Sequence, residues 1–174
     1  FRKPDLVIVI IGANDGQDLV PWRGSERVKW KTDGWPAGYR DRVDGFLESL
    51  MTPQADDEGN VPEHGSKVVW LGLPKMGSPS LERKLEIVRG VHVEAVEALG
   101  DRGRYIDTND HLVDDQGALV RNAEVRGKNR EIRAEDGVHL TMSGCEYLAD
   151  MVYPEIIATL NLPAEPPVEA KNEP

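Results

Sequence analysis

A histidine preceded three positions earlier by an aspartate is the pair of residues in this sequence best suited to move a proton. The segment Asp136-Gly-Val-His139 lies in a polar loop just ahead of the last apolar stretch. In a turn, this spacing lets the carboxylate reach Nδ1 of the imidazole, which fixes the tautomer and leaves Nε2 free to accept a proton. That is the arrangement a general base needs. The alternative is a surface histidine beside a helix-capping aspartate, and the four residues by themselves favour that alternative.

A second candidate, Gly12-Ala-Asn-Asp15, follows the most apolar run of the chain. Glycine at the end of a strand allows a sharp turn and the close approach of a ligand. The Asn14 amide carries two N–H donors of the kind that stabilise an oxyanion in a transition state. The alternative is an ordinary turn that closes a strand. For this cluster taken alone, the turn is the better interpretation, because a match of four residues is weak.

The other histidines and the single cysteine have weaker contexts. We predict that His64, His92 and His111 are solvated or structural, since none stands in a turn of the kind described above. We predict that Cys145 is a buried structural thiol, because nothing near it in the sequence indicates a lowered pKa.

Two larger apolar side chains are candidates for contact with a substrate. Trp22 shares a long loop with Trp30 and Trp35, and it either lines an acyl or sugar groove or pins the loop to the body of the protein. Met76 either forms the wall of a pocket or fills a gap in the core.

An alternation of apolar strands and amphipathic helices has to position these residues. The run over 6–11 is continuous and β-branched, which predicts a strand buried on both faces. Apolar positions at 39, 43, 46, 47 and 50 predict the first helix, and a second strand follows over 67–73. The next predicted elements are a helix capped by Ser80 and stopped at Gly100, a strand over 104–107 and a small hairpin around 126–129. A last helix starts at 141 or 142, with a kink or a new turn at Pro154.

This order predicts an α/β fold, a three-layer α/β/α sandwich with right-handed crossovers and a parallel sheet. In such sheets, ligands bind beyond the carboxyl ends of the strands. The polar clusters at 12–15, 74–80 and 136–139 all fall at or near those ends, so their placement predicts a common crevice. We assign residues 1–160 to one domain and 161–174, rich in Pro and Glu, to a disordered tail.

Composition narrows the possible partners. The 174 residues carry a formal net charge of -10, which disfavours nucleic acid and anionic membrane surfaces. The longest apolar run is too short to span a bilayer. One cysteine excludes an intrachain disulfide framework and a cysteine-based zinc site. We expect no metal and no cofactor.

Taken together, the two polar clusters and the segments between them resemble the SGNH (GDSL-like) hydrolase superfamily. The match is to the bacterial branch described as a domain of unknown function related to those esterases. It also includes the segment Val68-Val-Trp-Leu-Gly-Leu-Pro74 and covers the chain to about residue 160. The resemblance implies a flavodoxin-like fold with Asn14 as an oxyanion-hole donor, Asp136 as the orienting acid and His139 as the base. The same resemblance makes Gly12 and Asp15 supporting residues of the Asn14 loop.

The sequence departs from that family at the nucleophile. The family carries it in a Gly-Asp-Ser motif after an earlier strand, and no such motif occurs here. Either the first strand–helix unit lies in an upstream segment or a second chain, or the domain is a catalytically inactive binding module. We favour the first, because the chain opens at an inner strand and three strands make a thin sheet around that apolar run. None of the serines of this sequence stands on a strand-to-helix turn of the kind that carries the family's nucleophile; they are Ser25, Ser49, Ser66, Ser78, Ser80 and Ser143.

The resulting hypothesis is a serine esterase or O-acyltransferase that acts on small acyl esters. The resemblance alone adds carbohydrate or cell-envelope polymers as substrates and a secreted or envelope location. A metal-dependent phosphodiesterase is disfavoured, because Asp136 and His139 lack a third ligand at a recognisable spacing and an acidic surface repels phosphate esters.

Overall fold

The computed structural model describes residues 4–53, 55, 58–61 and 65–161. Within them the fold is an α/β sandwich around a parallel sheet in the order β1-β2-β3. The strands are β1 (Leu6–Val9), β2 (Lys67–Leu71) and β3 (Gly103–Ile106). Val9 lies beside Trp70, and Leu71 lies beside Ile106. The predicted fold class is confirmed.

Helices cover both faces of this sheet. The helices α1 (Trp35–Met51) and α2 (Pro79–Glu97) pack over one face, and α4 (Met142–Thr159) packs over the other. Side chains of β2 alternate between the two cores: Val68 and Trp70 join the α1–α2 core, and Val69 and Leu71 join the α4 core. Because all four are buried, β2 is the central strand of the sandwich.

Strand β1 is less covered than its sequence predicts. Ile8 is 50 % exposed, and Ile10 and Ile11 are each 47 % exposed. The prediction of burial on both faces is therefore wrong for the described chain. The reason is that Ile8 lies on the same face as Leu6, where the α4 core does not extend over it, and that Ile10 and Ile11 follow the end of the strand. In addition, β1 has a single strand neighbour in the described residues, β2, so its other edge is unpaired. An exposed apolar strand edge is a surface that other chain segments readily cover.

The second helix begins and ends differently from its prediction. Ser78, not Ser80, occupies the N-cap position, and its side chain makes no capping hydrogen bond. The two serine hydroxyls instead lie 3.1 Å apart and bond each other. The helix ends at Glu97, ahead of the predicted stop at Gly100, which begins a short 3-10 turn.

The predicted hairpin is present, as β4 (Asn122–Val125) paired with β5 (Lys128–Glu131), but its turn is shorter than 126–129 because residues 128 and 129 belong to β5. Its two loop residues, Arg126 and Gly127, both have positive φ, as a type I′ turn requires. A one-turn helix, α3 (Asn109–Leu112), precedes the hairpin.

The final helix starts where the sequence predicts. The Thr141 hydroxyl accepts a hydrogen bond from the Gly144 amide and caps the helix. The helix continues past Pro154 as one element. None of the helices in the described ranges is long and apolar enough to cross a bilayer. The predicted tail from 162 onward and His64 lie outside the described residues.

Candidate active site

A tight turn between β5 and α4 holds Asp136 against His139. Gly137 adopts a φ of 66°, which bends the chain back on itself. One carboxylate oxygen of Asp136, Oδ1, accepts hydrogen bonds from the backbone amides of Val138 at 2.8 Å and His139 at 3.0 Å. The other, Oδ2, lies 2.7 Å from Nδ1 of His139. The structure therefore brings together Asp136 and His139, the two residues that the sequence pairs.

The hydrogen bonds of this turn keep the Asp136 carboxylate ionised. The hydrogen bond from the His139 ring, followed by those from the two amides, holds the pKa of Asp136 far below its usual value. With an ionised acceptor on Nδ1, Nε2 is the ring nitrogen that remains available to take a proton. The His139 side chain is 78 % exposed, so a reactant can approach it.

The loop after β1 is shaped by a glycine pressed against a histidine. Gly12 adopts a φ of 110°, and a Cβ placed there would lie 2.6 Å from Cε1 of His92. Any other residue at position 12 would therefore be strained and would also collide with α2. The Asp15 amide donates to the Gly12 carbonyl at 2.9 Å, which closes the turn. Asn14 lies exposed at this turn.

A buried polar network attaches the same turn to α1 and α2. The Tyr39 hydroxyl donates to Oδ2 of Asp15 at 2.6 Å and lies 2.9 Å from Nε2 of His92. Burial, reinforced by Asp15, raises the pKa of Tyr39, so the phenol stays protonated. Since the phenol proton goes to Asp15, Nε2 of His92 must carry a proton and donate it to the phenol oxygen. Asp15 thus anchors the Asn14 turn.

His92 makes the stability of the protein depend on pH. Burial lowers its pKa from 6.5 to about 4, while Asp15 opposes that shift. The unfolded chain therefore binds a proton below pH 6.5 that the folded chain binds only near pH 4, so stability is complete above pH 6.5 and falls as the pH drops towards 4. We expect this residue to cost about 2 kcal/mol of unfolding free energy between pH 7 and pH 5.

The measurement is urea unfolding at pH 7 and pH 5 for the wild type, His92→Gln and, as a control, the partly exposed His111→Gln. Glutamine keeps a donor for the Tyr39 oxygen but does not titrate, so the difference between the two pH values should shrink by about 2 kcal/mol in His92→Gln only. An unchanged difference would contradict a neutral buried His92.

The loop after β2 meets the turn that carries His139. The Gly77 amide donates to the Gly137 carbonyl at 2.8 Å, and a Cβ on Gly77 would lie 3.1 Å from Cα of Gly137. Ala13 and Val138, the chain neighbours of Asn14 and His139, both pack against the α1–α2 core. The loops of both predicted clusters are thus placed at the carboxyl end of the sheet, where α/β folds bind ligands.

An ion pair that the sequence analysis missed holds the β2–α2 loop rigid. Arg89 donates to the carbonyls of Leu73 at 2.6 Å and Pro74 at 2.9 Å, and it binds Glu82 at 2.8 Å. Glu82 also accepts the Met76 amide. Burial raises the pKa of Glu82, but the bonds from Arg89 and Met76 outweigh it, so the net shift is downward. The only sequence signal was opposite charges seven positions apart, two turns along one helix face.

Comparison with known families assigns the chain to a family of unknown function. Residues 2–155 match the model of the family described as a protein of unknown function (DUF459). The chain belongs to this family. A search of curated proteins finds no match.

Two further candidates lie elsewhere in the DUF459 domain. Met76 is buried in the α1–α2 core, which favours the gap-filling alternative. Trp22 packs over Gly45 of α1 with the Arg23 guanidinium 4.5 Å above its ring. It lines a groove of about 670 Å³ to which neither Asn14 nor the Asp136–His139 turn contributes. A substrate contact for Trp22 or Met76 remains a prediction.

The other two loop tryptophans pin their segment. The rings of Trp30 and Trp35 meet edge to face with their centroids 4.3 Å apart, and Trp35 stacks on Tyr39 with a centroid distance of 4.8 Å. The prediction of a buried Cys145 is wrong, because this thiol is exposed. It stands in the first turn of α4, whose buried residues are Gly144, Leu148 and Val152.

The DUF459 domain places no serine hydroxyl on His139 within the described ranges. Ser25 accepts the Trp22 amide, Ser66 donates to the Pro4 carbonyl, and Ser49 donates to the Phe46 carbonyl. The same described ranges contain no group of three or more His, Cys, Asp or Glu side chains arranged to hold a metal ion.

Proposed function

We propose that this domain supplies the acid–base pair and an oxyanion donor of an SGNH-type serine esterase or O-acyltransferase for small acyl esters. The observation that carries the proposal is the exposed imidazole of His139, bonded through Nδ1 to an Asp136 carboxylate that stays ionised. Its position at the carboxyl end of a parallel sheet adds support. Carbohydrate or cell-envelope esters as substrates come from the resemblance to SGNH hydrolases.

The chemistry follows the usual course of acyl transfer. A serine oxygen attacks the ester carbonyl while Nε2 of His139 takes the hydroxyl proton, and Asp136 stabilises the imidazolium that forms. The Asn14 amide donates to the oxyanion of the tetrahedral intermediate. When that intermediate collapses, His139 returns the proton to the leaving alcohol and the acyl group stays on the serine. Water or a second alcohol then takes the acyl group by the same steps in reverse.

The nucleophilic serine comes from outside these residues, on an upstream segment or a second chain. The unpaired edge of β1 and the exposed side chains of Ile8, Ile10 and Ile11 support this proposal, because a further strand–helix unit beside β1 would cover both. Parallel strands end at the same edge of a sheet. A strand added there would deliver the residue after its carboxyl end to the neighbourhood of Gly12 and Asn14.

An inactive binding module of the same fold is the second candidate function. The observation in its favour is that no serine hydroxyl in the described ranges bonds to His139.

The test is p-nitrophenol release from its acetate ester by the full-length protein, combined with a serine-reactive fluorophosphonate probe and peptide mapping. We expect turnover that persists in a strong chelator and a label on a serine outside residues 1–174. A label on Ser78 or Ser80 would overturn the external nucleophile. If neither turnover nor a label is detected, the inactive binding module is the function that remains. Turnover that the chelator abolishes would indicate metal chemistry.

Asn14→Ala tests the oxyanion donor. Removing one such donor typically lowers kcat by a factor of about 100 to 1,000, and we expect a loss in that range with little change in KM. The matched control is Gln17→Ala, which truncates another exposed amide of the same loop while keeping the backbone carbonyl that accepts from Trp35. Equal kcat values for the two variants would remove Asn14 from the site.

A further inference from the structure

A fully buried cation lies behind the turn that carries His139. Arg133 is 0 % exposed, and its Nη1 donates to the Val138 carbonyl at 3.0 Å. Its backbone pairs with Leu140 and so closes the base of the turn. Its Nε and Nη2 are buried and have no hydrogen-bond partner in the described part of the chain. Arg133 thus contacts the turn at two points, Leu140 through its backbone and Val138 through its side chain.

Stability does not account for an arginine at this position. Burial lowers the pKa of Arg133, Asp136 opposes that shift, and Arg121 adds to it. These are the charged groups that act on the guanidinium, from its own turn and from the segment before β4. A buried cation without a direct carboxylate partner destabilises a fold relative to an apolar side chain of similar volume.

We propose that Arg133 is a positioning residue for the Asp136–His139 pair, because its guanidinium holds the Val138 carbonyl, which lies between those two residues in the turn. This inference rests on the proposed function. The hydrogen bond fixes the backbone next to His139, so the ring keeps its orientation towards Asp136.

The primary variant is Arg133→Met in the full-length protein, which fills the volume without the charge. We expect the fraction of His139 imidazole with its proton on Nδ1, measured by ¹⁵N NMR, to fall because the backbone that orients the ring towards Asp136 is released. We expect kcat for p-nitrophenyl acetate to fall about 10-fold with KM unchanged, because Arg133 is buried away from the substrate. The melting temperature should be unchanged or higher.

Matched variants separate the hydrogen bond from packing. Arg121→Met removes an exposed arginine whose Nη1 reaches the Ala134 carbonyl of the same turn, and it should leave the His139 tautomer unchanged because Arg121 does not bind Val138. Arg133→Lys keeps a donor at this position and should restore the wild-type tautomer. Arg133→Gln, whose amide nitrogen is two atoms closer to the backbone than Nη1 and falls short of the Val138 carbonyl, takes the place of Arg133→Met if that variant does not fold.

Three results would overturn the inference. They are an unchanged His139 tautomer in Arg133→Met, an equal change of the tautomer in Arg121→Met, or a fall in melting temperature with no change in the tautomer. The NMR measurement needs no turnover. A wild type without esterase activity would therefore defeat the proposed function separately from the role of Arg133.

Discussion

Replacing His139 by alanine is expected to lower kcat for p-nitrophenyl acetate in the full-length protein by about 1,000-fold or more. General acid–base catalysis by a positioned side chain contributes about 10²–10⁴-fold, and His139 would serve both the attack and the departure of the alcohol. The ring is 78 % exposed, so its removal leaves no cavity and stability should hardly change. The measurements are steady-state kinetics and a melting curve.

The control for this variant is His111→Ala, a partly exposed histidine that follows an aspartate but does not stand in the closed turn. Its backbone carbonyl, which accepts from Tyr147, is kept in the variant. Turnover close to that of the wild type is expected for His111→Ala. Equal rates for the wild type and His139→Ala would end the assignment of the base.

Asp136→Asn is expected to lower kcat by about 1,000- to 10,000-fold, because the substitution forces the wrong tautomer on His139. The backbone amides of Val138 and His139 both donate to Oδ1 of Asp136, so the oxygen of an asparagine would face them. Its NH₂ group would then face Nδ1 of His139, where Oδ2 now lies. An imidazole that accepts at Nδ1 carries its proton on Nε2 and cannot take one from a nucleophile.

The tautomer is measured directly by ¹⁵N NMR of the imidazole, alongside kcat. The matched control is Asp114→Asn, because Asp114 also accepts two backbone amides, those of Gln116 and Ala118, through one carboxylate oxygen. No change in kcat is expected for the control. An Asp136→Asn protein that keeps both the wild-type kcat and the proton on Nδ1 would show that the carboxylate does not orient the base.

Features decided over a few residues could be predicted from the sequence. The contact between Asp136 and His139 spans three positions and a glycine that accepts positive φ, so residue types alone indicate it. The Arg126-Gly127 turn of the hairpin is local for the same reason. The periodicities of strand and helix predict the sandwich, because each element has to bury one face or both.

The sequence did not predict the contacts that hold these loops in place. Tyr39 and His92 are 53 positions apart, and only the packing of α1 against α2 brings them to each other and to Asp15. Arg89 binds backbone carbonyls, which carry no sequence identity. The burial of Arg133 likewise follows from which elements surround it, since an arginine is ordinarily exposed.

The sequence is thus sufficient to pair Asp136 with His139 in a turn, to order the strands and helices and to give the sign of the net charge, because each depends on neighbouring residues or on composition. The tertiary structure decided which polar side chains are buried, which edge of β1 is bare and where the Asn14 loop is anchored. Those features depend on chain segments that are distant in sequence and meet only when the cores close, and local preferences do not encode such meetings.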